Sequence, residues 1–224
     1  VWLRTIGKTD DRQITKDAKR GIRSYFWAKD GKRVLYLQDL DGNENFHLYS
    51  VDLASNAVKD LTPHEGVRAQ NIITDDHSPN QLLVGMNLRD KRVFDMHRID
   101  LTTGESKLDT ENPGDVQGWG TDAAFVIRGA QAQNPTDGST IIRVRDSATA
   151  PWRDLLTFPA EENGDFIGFT ADGKHVFVES SLGSDVTRLI KVDAATGQEV
   201  EQIATDPRCD VGPVIVNDLN HRIE

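Results

Sequence analysis

Acidic and amide side chains crowd residues 36–53, YLQDLDGNENFHLYSVDL, where Asp39, Asp41, Glu44 and Asp52 surround Asn43, Asn45 and Gly42. Oxygen donors gathered in a loop could hold a hard divalent cation. The spacing decides. A helix–loop–helix calcium site needs glycine at its sixth position and a bidentate glutamate at its twelfth. Counted from Asp39, Gly42 is fourth and the twelfth residue is Ser50, so that template fails. An Asp-Gly step between two apolar runs instead favours a turn joining two strands, with a casual surface cation as the minor alternative.

The six histidines, His47, His64, His77, His97, His175 and His221, have no histidine partner at i+2 or i+4 and no cysteine neighbour. Zinc-site spacing is therefore missing, and neither a metal nor another cofactor is expected. The lone Cys209, in TDPRCDVG, has no second cysteine with which to form an internal disulfide and reads as a small side chain near a loop.

Against 26 Lys and Arg stand 36 Asp and Glu, a formal net charge of −10 without a clustered basic stripe. A phosphate backbone is repelled by that balance, so nucleic acid is not an expected partner. Apolar content of 37% and charged content of 28% suit a soluble globular domain. No apolar run is long enough to span a bilayer, so no membrane partner is expected. VWLRTIGKTDDR lacks a basic-then-apolar signal layout and opens without Met, which reads as a fragment or a processed product. The compartment implied is the cytoplasm, with the periplasm as the alternative while the upstream sequence is unseen.

What positions these residues is a repeat. Ser50-Val51-Asp52 recurs as Arg98-Ile99-Asp100, Arg143-Val144-Arg145 and Lys191-Val192-Asp193, in steps of 48, 45 and 48 residues. Leu3-Arg4-Thr5, 47 residues before Ser50-Val51-Asp52, is a degenerate copy. A second marker agrees. FWAKDGKRVLY (26–36) matches GFTADGKHVFV (168–178), with IITDDHSPNQLLVG (72–85) and the one-residue-shorter GWGTDAAFVIRG (118–129) between them. A third closes each unit, as RQIT, KDLTP, KLDTE and RDLLTF.

Within a unit, short runs rich in Val, Ile, Leu, Phe and Tyr alternate with Gly, Asp, Asn and Pro, and no helical period competes. The first full unit reads as four strands, SYFWA, RVLYLQD, NFHLYSVDL and AVKDLT. Four antiparallel strands per repeat of about 45 residues make the blade of a β-propeller. The fold class expected is thus all-β, a propeller with about five blades' worth of sequence and unfinished ends. Residues 1–24 form the end of a blade and a linker; 25–70, 71–117, 118–165 and 166–212 are full blades; 213–224 start the next. Such open edges suggest an incomplete propeller.

VWLRTIGKTDDRQITKDAKRGIRSYFWAKDGKRVLYLQDLDGNENFHLYSVDL resembles the N-terminal propeller of bacterial prolyl-oligopeptidase-family (S9) serine peptidases, of the acylaminoacyl- and dipeptidyl-peptidase-like branch. The likeness is clearest over the first seventy residues. The DGK-centred stretches also resemble the repeat of TolB-like periplasmic propellers. The peptidase resemblance implies a partner, an α/β-hydrolase domain later in the same polypeptide that carries nucleophile, acid and base. It also implies short peptide substrates admitted past the propeller. A serine nucleophile of that class needs the elbow G-x-S-x-G, which this sequence lacks, and Ser139 and Ser184 sit in turn contexts. No catalytic residue is therefore expected in the chain.

Two further candidates remain, the first brought by the resemblance and the second by its place in the repeat. Paired glutamates on a propeller hold the substrate amine in some dipeptidyl peptidases, yet Glu161-Glu162 lies in a plain connection, PAEENGDF, and reads as a solvated turn. Arg68, in HEGVRAQ, enters an inner strand and suits a peptide carboxylate, with an ordinary inter-blade salt bridge as the alternative. The turn region RGAQAQNPTDGST departs most from the repeat and is a place for partner contacts. Two rival functions remain, a stand-alone TolB-like propeller binding a protein partner and a propeller enzyme with a central metal. The inner strands offer no convergent carboxylates for the latter.

Overall fold

A computed structural model describes every residue of the chain except Ala18, Arg20 and Arg23. Among the described residues there are strands and no helix. Strands β1 (Trp2–Leu3) and β2 (Arg12–Gln13) form an antiparallel pair. The first four-stranded sheet contains β3 (Ser24–Trp27), β4 (Arg33–Gln38), β5 (His47–Asp52) and β6 (Val58–Asp60). The second contains β7 (Ala69–Thr74), β8 (Gln81–Met86), β9 (Asp95–Asp100) and β10 (Ser106–Thr110). The third contains β11 (Val116–Thr121), β12 (Ile127–Gln133), β13 (Thr140–Val144) and β14 (Arg153–Phe158). The fourth contains β15 (Gly164–Phe169), β16 (His175–Ser180), β17 (Arg188–Asp193) and β18 (Glu199–Ala204). A last antiparallel pair joins β19 (Val216–Asn217) to β20 (Arg222–Ile223). Within every sheet the strands lie in chain order.

Two compact units divide the chain, Val1–Asn112 and Pro113–Glu224. In the first unit, successive residues of β4 point to opposite faces, as strand geometry requires. Leu35, with Leu48 of β5, joins Leu82, Val84, Met86 and Ile99 of the second sheet in one core. Val34 and Tyr36, with Val51, pack on Ile14 and Leu3 beside the β1–β2 pair. In the second unit, Ile142 and Val144 of the third sheet meet Phe169, Val176 and Val178 of the fourth. Middle strands covered on both faces are buried almost throughout, as in QLLVGM of β8, whereas EVEQIA of β18 is largely exposed. Each fully buried leucine or valine contributes roughly 2 kcal/mol, so these face-to-face cores dominate the stabilisation.

The turn between the first two strands explains the DGK marker. Ala28 N–H donates to the Arg33 carbonyl and Gly31 N–H to that of Ala28, while Thr170, His175 and Gly173 repeat the pattern in the fourth sheet. Both glycines sit at φ +65°, a region that costs a side chain about 1 kcal/mol. The shorter third-sheet version closes from Asp122 to Val126 and puts Phe125 at φ 57° in the equivalent bend.

The turn from third to fourth strand is a second repeated device. Asp52, Asp100 and Asp193 each accept hydrogen bonds on Oδ1 from the backbone N–H two and three residues on and from the hydroxyl of Ser55, Thr103 or Thr196. The next residue, Asn56, Gly104 or Gly197, is left-handed and donates to the carbonyl of that aspartate. A basic side chain from the last strand of the preceding sheet or strand pair then grips the turn. Arg12 donates to the Leu53 carbonyl at 2.7 Å and to Asn56 Oδ1 at 2.7 Å, Lys59 to the Thr103 carbonyl, and Arg153 to those of Ala194 and Ala195. The approach is close: a methyl at Gly104 would lie 2.1 Å from Lys59 Nζ, and one at Gly197 2.6 Å from the Leu155 carbonyl oxygen.

One expectation changes. Most of RGAQAQNPTDGST is strand, since β12 runs to Gln133 and only residues 134–139 turn, closed by Asn134 N–H to Ser139 O and Gly138 N–H to Asn134 O. Small Gly129, Ala130 and Ala132 have low strand propensity and disguise an alternation that the cross-strand partners enforce.

Candidate functional site

The loop between β4 and β5 and the connection between β6 and β7 lie at the same end of the first sheet, because both follow strands running in the same direction. In the loop, Asn43 N–H donates to the Leu40 carbonyl at 3.1 Å across Asp41 (φ 53°) and Gly42 (φ 85°), the geometry of a type I′ turn. Asp39 turns inward to accept from Glu44 N–H at 3.2 Å, and Asp52 is committed to its own turn. Asp39 and Asp52 are thus committed to separate turns, and Asp41 lies 3.9 Å from Lys19 Nζ. Among the described residues no cluster of three or more His, Cys, Asp or Glu side chains is placed to hold a metal ion.

The connection between β6 and β7 packs back on β5. Leu61 N–H donates to the Leu48 carbonyl, Thr62 Oγ1 accepts from Leu48 N–H, and Ala69 N–H reaches the Phe46 carbonyl. Val67 and Ala69 are buried, so alternation turns Arg68 outward to solvent. Asn87, almost fully buried, holds the Arg68 backbone at both ends. Its Oδ1 accepts from Arg68 N–H at 2.7 Å, and its N–H donates to the Arg68 carbonyl at 3.4 Å. The guanidinium lies over the Phe46 ring, 5.6 Å from its centroid. Among the described residues no carboxylate pairs with it, so the salt bridge expected as the alternative is absent.

Between the β4–β5 loop and the β6–β7 connection, a cleft of about 230 Å³ is lined by Asn43, Asn45, His47, Tyr49, Asp60 and Glu65, among others. His47 Nδ1 lies 2.8 Å from Asp60 Oδ2, and His47, Tyr49 and Tyr36 form a ladder of stacked rings. Burial pushes the Tyr36 hydroxyl up to about 12, aided by Tyr49 and nearby acids, so it stays a neutral donor. The remaining histidines are dispersed. His97 is buried in β9, where loss of solvent lowers its pKa, while His77 and His221 occupy turns.

Glu162 is also accounted for. Its carboxylate accepts from the Ser181 hydroxyl, which in turn accepts from Asn163 N–H at 2.8 Å, tying the start of β15 to the end of β16. Glu161 is exposed. Ser139 and Ser184 lie in turns, and Cys209 is exposed. Two features escaped the sequence reading, the Asp-x-x-Ser/Thr-Gly/Asn turn and the basic residue that grips it. Both are visible in retrospect at 52–56, 100–104 and 193–197.

Within each unit, consecutive four-stranded antiparallel sheets packed face to face are blades, and solved structures share the arrangement. Oligopeptidase B from Leishmania major aligns with 89% of this chain over 30% of its own, at TM-score 0.60 and 11% identity. TolB from Acinetobacter baumannii aligns with 85% over 45% of its own, at TM-score 0.51 and 16% identity. At those identities the likeness shows the fold, a β-propeller. No family model matches the chain. The dipeptidyl aminopeptidase BIII of Pseudoxanthomonas mexicana is 34% identical over 227 residues, covering 100% of this chain and 32% of that protein. The chain is a propeller segment of the prolyl-oligopeptidase (S9) peptidase family. It spans about a third of the length of this curated relative. Among the described residues no helix is long and apolar enough to cross a membrane.

Proposed function

We propose that this propeller is the non-catalytic gate of a serine peptidase, seated on an α/β-hydrolase domain of the same polypeptide and admitting short peptides to it. The carrying observation is end-to-end similarity to a dipeptidyl aminopeptidase of which the chain matches a third, combined with a sequence that holds no G-x-S-x-G elbow. The nucleophile, its base and the acyl-enzyme step then belong to the hydrolase domain. The propeller contributes exclusion. On this reading an extended short peptide passes the propeller and a folded chain does not.

Two measurements test this. The 224-residue chain alone is expected to hydrolyse no chromogenic dipeptide, and the full polypeptide to cleave short peptides with a steep loss of kcat/KM as peptide length grows. Turnover by the isolated chain that a serine-directed reagent abolishes, or length-independent cleavage by the full polypeptide, overturns the proposal.

A further inference from the structure

In the first unit the described arginines are accounted for with one exception. Arg4 pairs with Asp11, Arg33 with Asp30, Arg89 with Asp95, Arg92 with Asp90 and Arg98 with Asp109, while Arg12 is taken by backbone and amide oxygens. Arg68 alone presents a guanidinium with no oxygen partner among the described residues, in a chain with ten more acids than bases. Its neighbours hold it ready rather than neutralise it. Asn87 fixes its backbone on both sides, and Asn87 Nδ2 is anchored to the Lys91 carbonyl at 3.2 Å. Lys91 Nζ binds the Gly66 carbonyl at 2.7 Å, stitching the loop after β8 to the connection that carries Arg68. Arg68 Cζ lies over the Phe46 ring at 5.6 Å from its centroid, and the residue is exposed to solvent.

A planar five-donor fork that is always charged, set over an aromatic ring and exposed without an oxygen partner among the described residues, matches a carboxylate with two parallel hydrogen bonds. We infer that Arg68 is a carboxylate-binding site whose ligand is the free C-terminus of a short peptide. The choice of a peptide as carrier rests on the gating reading above, whereas the carboxylate chemistry rests on the geometry alone. No bond is made or broken in the step, and the ligand is bound as its anion.

The test is an NMR titration of the 224-residue chain with ¹⁵N-labelled arginine, using dialanine, dialanine amide and acetate. Dialanine and acetate are expected to shift Arg68 Nε and the Arg68 backbone amide, with the amide ligand binding about fivefold more weakly, as suits one exposed ion pair. Arg68→Met should abolish the distinction between acid and amide, and Arg68→Lys should retain only part of it. Equal affinity for dialanine and its amide, or an unchanged preference in Arg68→Met, overturns the site. Shifts with acetate but none with dialanine retain the carboxylate site and overturn the peptide as its ligand. Because catalysis is not the readout, failure of the gate and failure of the site are distinguished.

Discussion

Arg153, on the fourth strand of one sheet, donates to the carbonyl of Ala194, 41 residues later, in the turn between third and fourth strands of the next. Lys59 of β6 stands in the same relation to Thr103, and Arg12, on the last strand of the β1–β2 pair, reaches the Leu53 carbonyl in the same way. Repetition at three points identifies the contact as a device of the fold. The turn carbonyls would otherwise compete for water, and a charged donor to a part-buried carbonyl is worth more than a neutral one.

Removal of that donor should be measurable. Arg153→Ala is expected to lower stability by about 1 kcal/mol in urea unfolding, less than a buried charged hydrogen bond because the side chain is about a third exposed. Arg208→Ala, which breaks only an exposed pair with Asp206, is expected to fall within about 0.5 kcal/mol of the parent. Equal effects for the two would remove the special status of the clamp.

The third and fourth sheets meet through an absence of side chains. A methyl at Gly120 would lie 2.0 Å from Phe166 Cε1, and one at Gly129 2.5 Å from Phe166 Cζ. Phe166 cannot swing freely, because Phe169 meets it edge-on at 5.5 Å. Gly129→Ala is therefore expected to cost about 1–3 kcal/mol by overpacking. Combined with Phe166→Leu, it should show a favourable coupling in a double-mutant cycle. Strict additivity would mean that the ring and the glycine do not constrain each other.

Phe125 sets two effects against each other. Its left-handed φ of 57° costs about 1 kcal/mol, but its side chain is 1% exposed, and emptying such a site costs about 3–5 kcal/mol. Burial wins. Phe125→Gly should lower the denaturation midpoint by an amount equivalent to about 2–4 kcal/mol, despite installing the residue that the equivalent bends of the first and fourth sheets prefer. A neutral or stabilising result would show the backbone term to be the larger.

Acid sensitivity follows from the repeated turns. Backbone N–H donors hold the pKa values of Asp52, Asp100 and Asp193 below the ordinary 3.8. The unfolded chain then binds protons first as pH falls, so the contribution of these carboxylates is complete above 3.8 and is lost on descending through the lowered values. Thermal unfolding midpoints should decline below about pH 4, and a triple aspartate-to-asparagine variant should show a shallower decline there. His97 adds a separate slope. Its pKa is lowered by burial, so the unfolded state takes up the proton first near pH 6.5, and stability should rise with pH through that region. Unchanged acid profiles in the triple variant would sink the assignment to these turns.

How much of this was legible beforehand depended on whether local chemistry or assembly decided the outcome. The repeat, the four strands per unit and the Asp-Gly bends followed from alternation and turn residues. SYFWA, RVLYLQD, NFHLYSVDL and AVKDLT appear as β3 to β6 with no end trimmed by more than two residues. The seven-residue β12 was disguised by glycine and alanine, whose burial between strands is a property of the neighbours. Arg68 was legible as a residue type, but its lack of a counter-ion was not, since pairing is settled by side chains distant in sequence. The clamps were hidden for the same reason, with Arg12, Lys59 and Arg153 reaching partners 41 to 44 residues away.

Every clamp described here points one way, with the donor earlier in the chain than the turn it secures. A chain made from its N-terminus therefore presents each gripping side chain before the turn that needs it has been synthesised. Within each unit, loss of an earlier sheet strips the next one of its brace, whereas loss of a later sheet leaves only a basic side chain returned to water. Stability along such an array is directional, and damage should spread toward the C-terminus more readily than back.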